Sequence, residues 1–119
     1  MIFLAALLAC MAVDGDNVRC NGVNIRLLAI DAPEMPGGCR KGRDCAPGDP
    51  HASKAALQAS LIEPIRIIPV GRDRWGRPVA MIYAAGINLS CKQLRTGHAR
   101  YWPEYDRRTG YRIKRECGL

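Results

Sequence analysis

The sequence predicts a mainly β protein of the α+β class: a five-stranded OB-fold β-barrel carrying two to three helices. Three observations predict it. The chain has 119 residues, enough for one hydrophobic core and too few for two. Five short strand-like segments alternate with helical ones. A small closed barrel of about 100 residues is the common solution for that pattern, and one that also binds oligonucleotides. Turn-forming pairs rich in Asn, Asp, Gly and Pro separate the segments.

Residues 8–13 can form a strand that runs into the turn cluster Asp14-Gly15-Asp16-Asn17. Val18 to Cys20 is extended, and Asn21-Gly22 supplies the pair that a type I′ hairpin requires. Val23, Ile25 and Leu27 then alternate with Asn24 and Arg26, so residues 8–30 form a meander of three antiparallel strands. Residues 32–50, with Pro33, Pro36, Pro47 and Pro50 and four glycines, form a long loop, and such loops inside compact domains are usually functional. Asp49-Pro50 is a helix start, and the alanine-rich stretch from His51 to Leu61 is helical, with Pro64 beyond its end. Ile65 to Ile68 and Val79 to Ala84 are strands, joined by a basic hairpin tip over residues 71–78. A second helix starts near Asn88 or Ser90 and ends at Gly97. Residues 98–119 are aromatic and basic, with a short helix near 111–117.

The chain is 48% hydrophobic and 24% charged, which excludes a disordered tail. Eighteen Lys+Arg against 11 Asp+Glu give a formal charge of +7, which favours polyanionic partners, nucleic acid before an anionic membrane surface. Six cysteines, Cys10, Cys20, Cys39, Cys45, Cys91 and Cys117, fit an oxidising compartment with two or three bridges. Cys39 and Cys45, six apart, are open to a local disulfide, free thiols or a metal with His51, though zinc sites usually show tighter pairs. Cys20 and Cys91 lie in apolar segments and fit buried thiols equally well. The first 12 residues are apolar but too short to span a membrane, so no stable insertion is expected. Residues 1–9 are either a signal-peptide remnant or the start of the first strand, and residues 10–119 form the domain. Together these features suggest a secreted or periplasmic protein, and nothing argues for an oligomer over a monomer.

Five charged residues stand at strand ends and turns: Asp16, Arg26, Asp31, Glu34 and Arg77. Each alone has an ordinary explanation, as a turn former, an exposed strand arginine, a loop cap or a solvated charge. As a set they suit phosphodiester hydrolysis. Asp16 and Asp31 can supply two oxygens to a hard divalent cation, too few for a closed calcium site and about right for an open one. Glu34 can deprotonate or orient a water. Arg26 and Arg77 can clamp a phosphate, and losing such a donor costs ~10²–10³ in rate. Arg26 and Asp31 are five apart, so a regular strand sends them to opposite faces. A shared site requires a bulge or bend, expected near Ala29–Ile30.

The blocks V-D-G-D-N-V, R-L-L-A-I-D-A-P-E and D-R-W-G-R-P-V-A, in this order, resemble the thermonuclease family, the staphylococcal-nuclease-like domains. Pro50-His51-Ala52-Ser53 and Arg95-Thr96-Gly97 extend the resemblance over roughly residues 10–118. It implies a Ca2+-dependent endonuclease acting on DNA and RNA that cuts the 5′ P–O bond and leaves 3′-phosphates. By motif position it implies Asp16 and Asp31 as calcium carboxylates and Ala32 as the residue offering its carbonyl. Arg26 and Arg77 match the phosphate-binding arginines, and Glu34 the general base. Asn17 and Ala32 stand where many members have threonine. Trp75 replaces a nucleotide-contacting tyrosine, and an indole can still stack on a base. Tyr101, Trp102 and Tyr105 lie near the family's later tyrosines but out of register. Relatives commonly continue past Gly118-Leu119, so a short or poorly packed C-terminal helix is expected.

An open barrel groove favours single-stranded DNA or RNA. Two competing classes use the same residues differently. A non-catalytic OB-type nucleic-acid-binding module needs neither Glu34 nor Asp16. A partner-binding structural domain leaves all five charges solvated.

Overall fold

The structure, a computed structural model, describes residues 9–119. Nearly all of the segment expected to be a signal remnant or first-strand start lies outside the described residues. β1 (Cys10–Asp14), β2 (Asn17–Cys20) and β3 (Val23–Leu27) form the expected antiparallel meander. The β2–β3 turn is tight because Asn21 (φ 49°) and Gly22 (φ 81°) both take the left-handed conformation. β5 (Ile65–Arg72) and β6 (Pro78–Ala84) form the second hairpin, with a register shift between Pro69 and Gly71. β6 also runs parallel to β3, pairing Val79 with Arg26 and Ala80 with Leu27. The five longer strands thus lie in one path, β1-β2-β3-β6-β5.

Three further strands have two residues each. β7 (Ile87–Asn88) pairs with β6, and β4 (Ile30–Asp31) pairs with β8 (Arg100–Tyr101) in a separate ladder. The α+β class stands, but the expected closed five-stranded barrel is met only in part. The strands number eight among the described residues, and no ladder there joins β1 to β5. Among the described residues the helices number four rather than two to three: α1 (Pro50–Ser60), α2 (Leu89–Arg95), α3 (Pro103–Arg107) and α4 (Arg112–Cys117). None of them is long and apolar enough to cross a membrane. Asp49 caps α1 by accepting from the backbone N–H groups of His51 and Ala52, and Asn88 caps α2 by accepting from Cys91. α1 closes before Pro64, its N-terminal cap and length having been set by residues 49–61.

The main core lies between the sheet and helices α1 and α2, around Val18, Ile25, Leu27, Ile30, Leu57, Ile82 and Leu89. A smaller cluster of Leu28, Val79 and Met81 receives Ile113, which anchors α4 despite its six residues. All six cysteines are bonded: Cys10–Cys20, Cys39–Cys45 and Cys91–Cys117. Cys10 and Cys20 are direct partners in the β1–β2 ladder. Cys20 and Cys91 are buried, as their apolar segments require, but in disulfides and not as thiols. Cys39 and Cys45 bond to each other, which removes them as metal ligands.

Candidate active site

β3 ends at Leu27, and the chain bends before β4 starts at Ile30. Leu28 and Ala29 form the turn that carries the bend, and Ala29 takes φ 60°. This is the expected break in the strand, centred one residue earlier. It brings Arg26 and Asp31 to the same side, with Arg26 Nη2 at 3.8 Å from Asp31 Oδ1. The same nitrogen lies 3.4 Å from Asp16 Oδ2. The two carboxylates therefore meet around one guanidinium.

Asp16 reaches this position because the turn after β1 is packed from three sides. Gly15 has no room for a side chain: a Cβ there would lie 1.7 Å from Ser53 Oγ and 2.7 Å from Ala32 Cβ. The buried amide of Gln93 on α2 donates to the carbonyls of Gly15 (2.9 Å) and Ser53 (3.0 Å). Asp16 Oδ2 accepts from the Ala32 backbone N–H at 2.9 Å, and Oδ1 accepts from the Asn17 amide at 2.9 Å. Burial pushes the Asp16 carboxyl well above its ordinary range; the Arg26 guanidinium pulls it down and nearby Asp14 adds to the rise. Such a carboxylate is stabilised by added positive charge.

Asp31 is 2% exposed, and Arg100 on β8 holds its Oδ2 through Nε (3.2 Å) and Nη2 (3.1 Å). Its Oδ1 is buried and has no hydrogen-bond partner among the described residues. The nearest cationic nitrogens, on Arg26 and Arg43, stand 3.8 and 3.9 Å away, beyond hydrogen-bond range. An orphaned carboxylate oxygen beside a second buried carboxylate fits a hard cation. No cluster of three or more acidic, His or Cys side chains converges among the described residues. An open site completed by carbonyl, water or substrate oxygen is the kind these donors can build.

A groove of about 590 Å³ opens in front of this pair. Asp16, Arg26, Glu34, Trp75 and Arg77 all line it, so the structure brings together five of the sequence-predicted residues. Asp31 and Ala32 lie behind, buried. Arg77 is held by Asp73, four residues earlier. The Asp73 carboxylate accepts from the Arg77 side-chain Nε at 2.6 Å and from the backbone N–H groups of Trp75 and Arg77. Burial would raise the Asp73 carboxyl, but these donors outweigh it and hold it below its ordinary range. Among the described residues only Nε of Arg77 is engaged, which leaves its two terminal nitrogens for a ligand. Trp75 is 59% exposed, with the Arg74 and Arg77 guanidiniums at 4.8 and 5.5 Å from its ring.

Glu34 is half-buried and not a free surface charge. It pairs with Arg43 at 3.1 Å. Trp102 and Tyr105, left unassigned by sequence register, line the groove edge to face, with ring centroids 4.6 Å apart, and Arg26 lies over Trp102 at 5.4 Å. Asp73, Gln93, Arg43 and Arg100 were not singled out from the sequence. Asp73 had a signal, the Asp-x-x-x-Arg spacing around Gly76. Arg43 and Arg100 had none, since their partners are set by loop and ladder contacts.

Residues 24–115 match the family model described as Staphylococcal nuclease homologue. The chain is similar to the succinoglycan biosynthesis protein ExoI of Rhizobium meliloti, 35% identical over 90 residues, covering 73% of this chain and 47% of that protein. It is also similar to the probable staphylococcal-like nuclease CAN1 of rice, Oryza sativa, 30% identical over 94 residues, covering 79% of this chain and 26% of that protein. The chain thus spans half or less of the length of these curated relatives.

Proposed function

The chain belongs to the staphylococcal nuclease homologue family, and from that premise we propose that it is a calcium-dependent endonuclease hydrolysing phosphodiester bonds of DNA and RNA. The observation that carries the proposal is the meeting of Asp16 and Asp31 around Arg26, at the floor of a groove also lined by Glu34 and Arg77. Asp16, Asp31 and the carbonyl of Ala32 hold Ca2+ in this reading. When bound, the ion supplies positive charge to a non-bridging phosphate oxygen. Arg26 and the free terminal nitrogens of Arg77 fork onto the phosphate and stabilise the charge that grows as water adds. Glu34 takes the proton of the attacking water. The phosphorus–5′-oxygen bond breaks, the 5′ oxygen takes up a proton, and the 3′ side keeps the phosphate.

Trp75 offers a face on which a splayed base can stack, which favours single strands. The protein acts as a monomer, in a secreted or periplasmic setting that three disulfides suit. The whole of residues 10–119 forms the nuclease domain. A second reading, a binding module without catalysis, draws on one observation: Glu34 is engaged by Arg43.

The test is hydrolysis of single-stranded DNA by the purified protein, with calcium and with chelator. Cleavage that needs calcium and leaves 3′-phosphate ends is expected. Salt-sensitive binding with no cleavage overturns the enzyme in favour of the binding module.

A further inference from the structure

Nothing in the proposed chemistry uses Arg43, yet its guanidinium stands at the centre of the site. Nη1 is 3.1 Å from Glu34 Oε1, and Nη2 is 3.9 Å from Asp31 Oδ1, the buried oxygen that has no hydrogen-bond partner. Arg43 reaches there from the loop closed by Cys39–Cys45. Its own N–H donates to the Arg40 carbonyl at 3.0 Å. The next residue is pinned as well: Arg100 Nη2 donates to the Asp44 carbonyl at 2.7 Å, and Nη1 lies 3.3 Å from the Asp44 carboxylate. Arg100 therefore holds both the loop and Asp31. The position of Arg43 is fixed by a covalent ring on one side and a bidentate arginine on the other.

A calcium ion bonded to Asp31 Oδ1 would sit about 2.3–2.6 Å from that oxygen. The Arg43 guanidinium, on the same oxygen, would then face a divalent charge at short range, and like charges so placed repel strongly even near a protein surface. Ion and guanidinium cannot both keep these positions. The disulfide ring limits how far Arg43 can withdraw, which raises its effective concentration at the carboxylates.

We propose that Arg43 sets the metal affinity of this site: it is a tethered monovalent cation that bridges Glu34 and Asp31 and competes with calcium for them. The proposal rests on the reading that Asp16 and Asp31 hold calcium. The apparent dissociation constant is then raised by the inverse of the fraction of molecules in which Arg43 has withdrawn. Glu34 is released for its proton-accepting role by the same displacement.

Calorimetric titration of the purified protein with calcium chloride, without nucleic acid, tests this. Arg43→Gln is expected to bind calcium roughly tenfold more tightly than the wild type, a usual size for coupling between sites. Arg43→Lys, which keeps the charge but loses the fork, falls between them. Lys54→Gln, an equal change in net charge on α1, leaves the affinity at the wild-type value. The Cys39→Ser/Cys45→Ser double variant, with Arg43 present but untethered, also binds more tightly; an unchanged constant there overturns the tether. Equal affinity in the wild type and Arg43→Gln overturns the competition while leaving the calcium reading intact. Absence of binding in every variant removes the calcium reading, and the proposal with it.

Discussion

Glu34 and Asp73 both carry a negative charge beside an arginine, and they do opposite work. Glu34 faces the groove, and in the proposed mechanism its carboxylate receives a proton. Glu34→Gln keeps shape and polarity but cannot accept it. Turnover is expected to fall by about 10²–10⁴, with the melting temperature unchanged, and single-turnover kinetics alongside thermal melts check this. Asp73 is buried at the groove wall, where it aims Arg77. Its carboxyl is held below the ordinary range, so the ionised form stabilises the fold. That contribution is complete above the unfolded carboxylate pKa of about 3.9 and is lost as the pH falls through the lower folded value. Asp73→Asn is therefore expected to melt below the wild type at neutral pH, with the two curves converging in acid. Melting temperatures across an acid series would show this, and a constant gap would remove the ionised pair as the cause.

The elements divide into those visible in sequence and those made by tertiary pairing. Alternation over Val23–Leu27, the Asn21-Gly22 turn and the Asp49-Pro50 cap each act within a few residues, and β3, its hairpin and α1 followed from them. β4 and β8 are two residues long and exist only because they pair with each other across 69 positions of chain. α3 has five residues and no side-chain cap, and no periodicity test sees such an element. The same division holds in the site. Asp16, Arg26 and Asp31 were legible because charges stood where a strand wanted apolar residues. Arg43 and Arg100 were not, because the loop and the β4–β8 ladder bring them in. α4 belongs to the second group energetically: its six residues are held by Ile113 and by the Cys91–Cys117 bridge. Replacing both cysteines with serine is expected to cost about 2–5 kcal/mol of stability, read by denaturant unfolding. The groove is lined by other elements, so the proposed activity is expected to persist below the new midpoint.

At the scale of the whole molecule, five of the cations behind the +7 charge gather in one groove, together with four acidic residues, Asp14, Asp16, Glu34 and Asp73. Arg26, Arg40, Arg43, Arg74 and Arg77 all line the one groove, beside Trp75, Trp102 and Tyr105. Cations that neutralise phosphates release counterions, so binding of a single-stranded oligonucleotide must weaken with salt. With three phosphates engaged, the logarithm of the binding constant falls against that of salt concentration with a slope of about −2. Fluorescence anisotropy with a labelled oligonucleotide and the inactive Glu34→Gln variant measures it. A slope near zero would mean that the groove does not receive the backbone.

The three disulfides join residues 10 to 20, 39 to 45 and 91 to 117, and none crosses from the first 45 residues to the rest. The division falls through the site. Asp16, Arg26, Asp31 and Glu34 lie on one side of the exposed stretch Pro47–Asp49, and Arg77, Trp75 and Arg100 on the other. A single cut in that stretch would leave two covalently separate chains, each with its own bridges and neither with both Arg26 and Arg77. They would be held together by the β3–β6 ladder, by Gln93 on the Gly15 carbonyl and by Arg100 on Asp31. The candidate site is thus laid out in two separable pieces, with its acidic half on one and its second arginine on the other, complete only when they are paired.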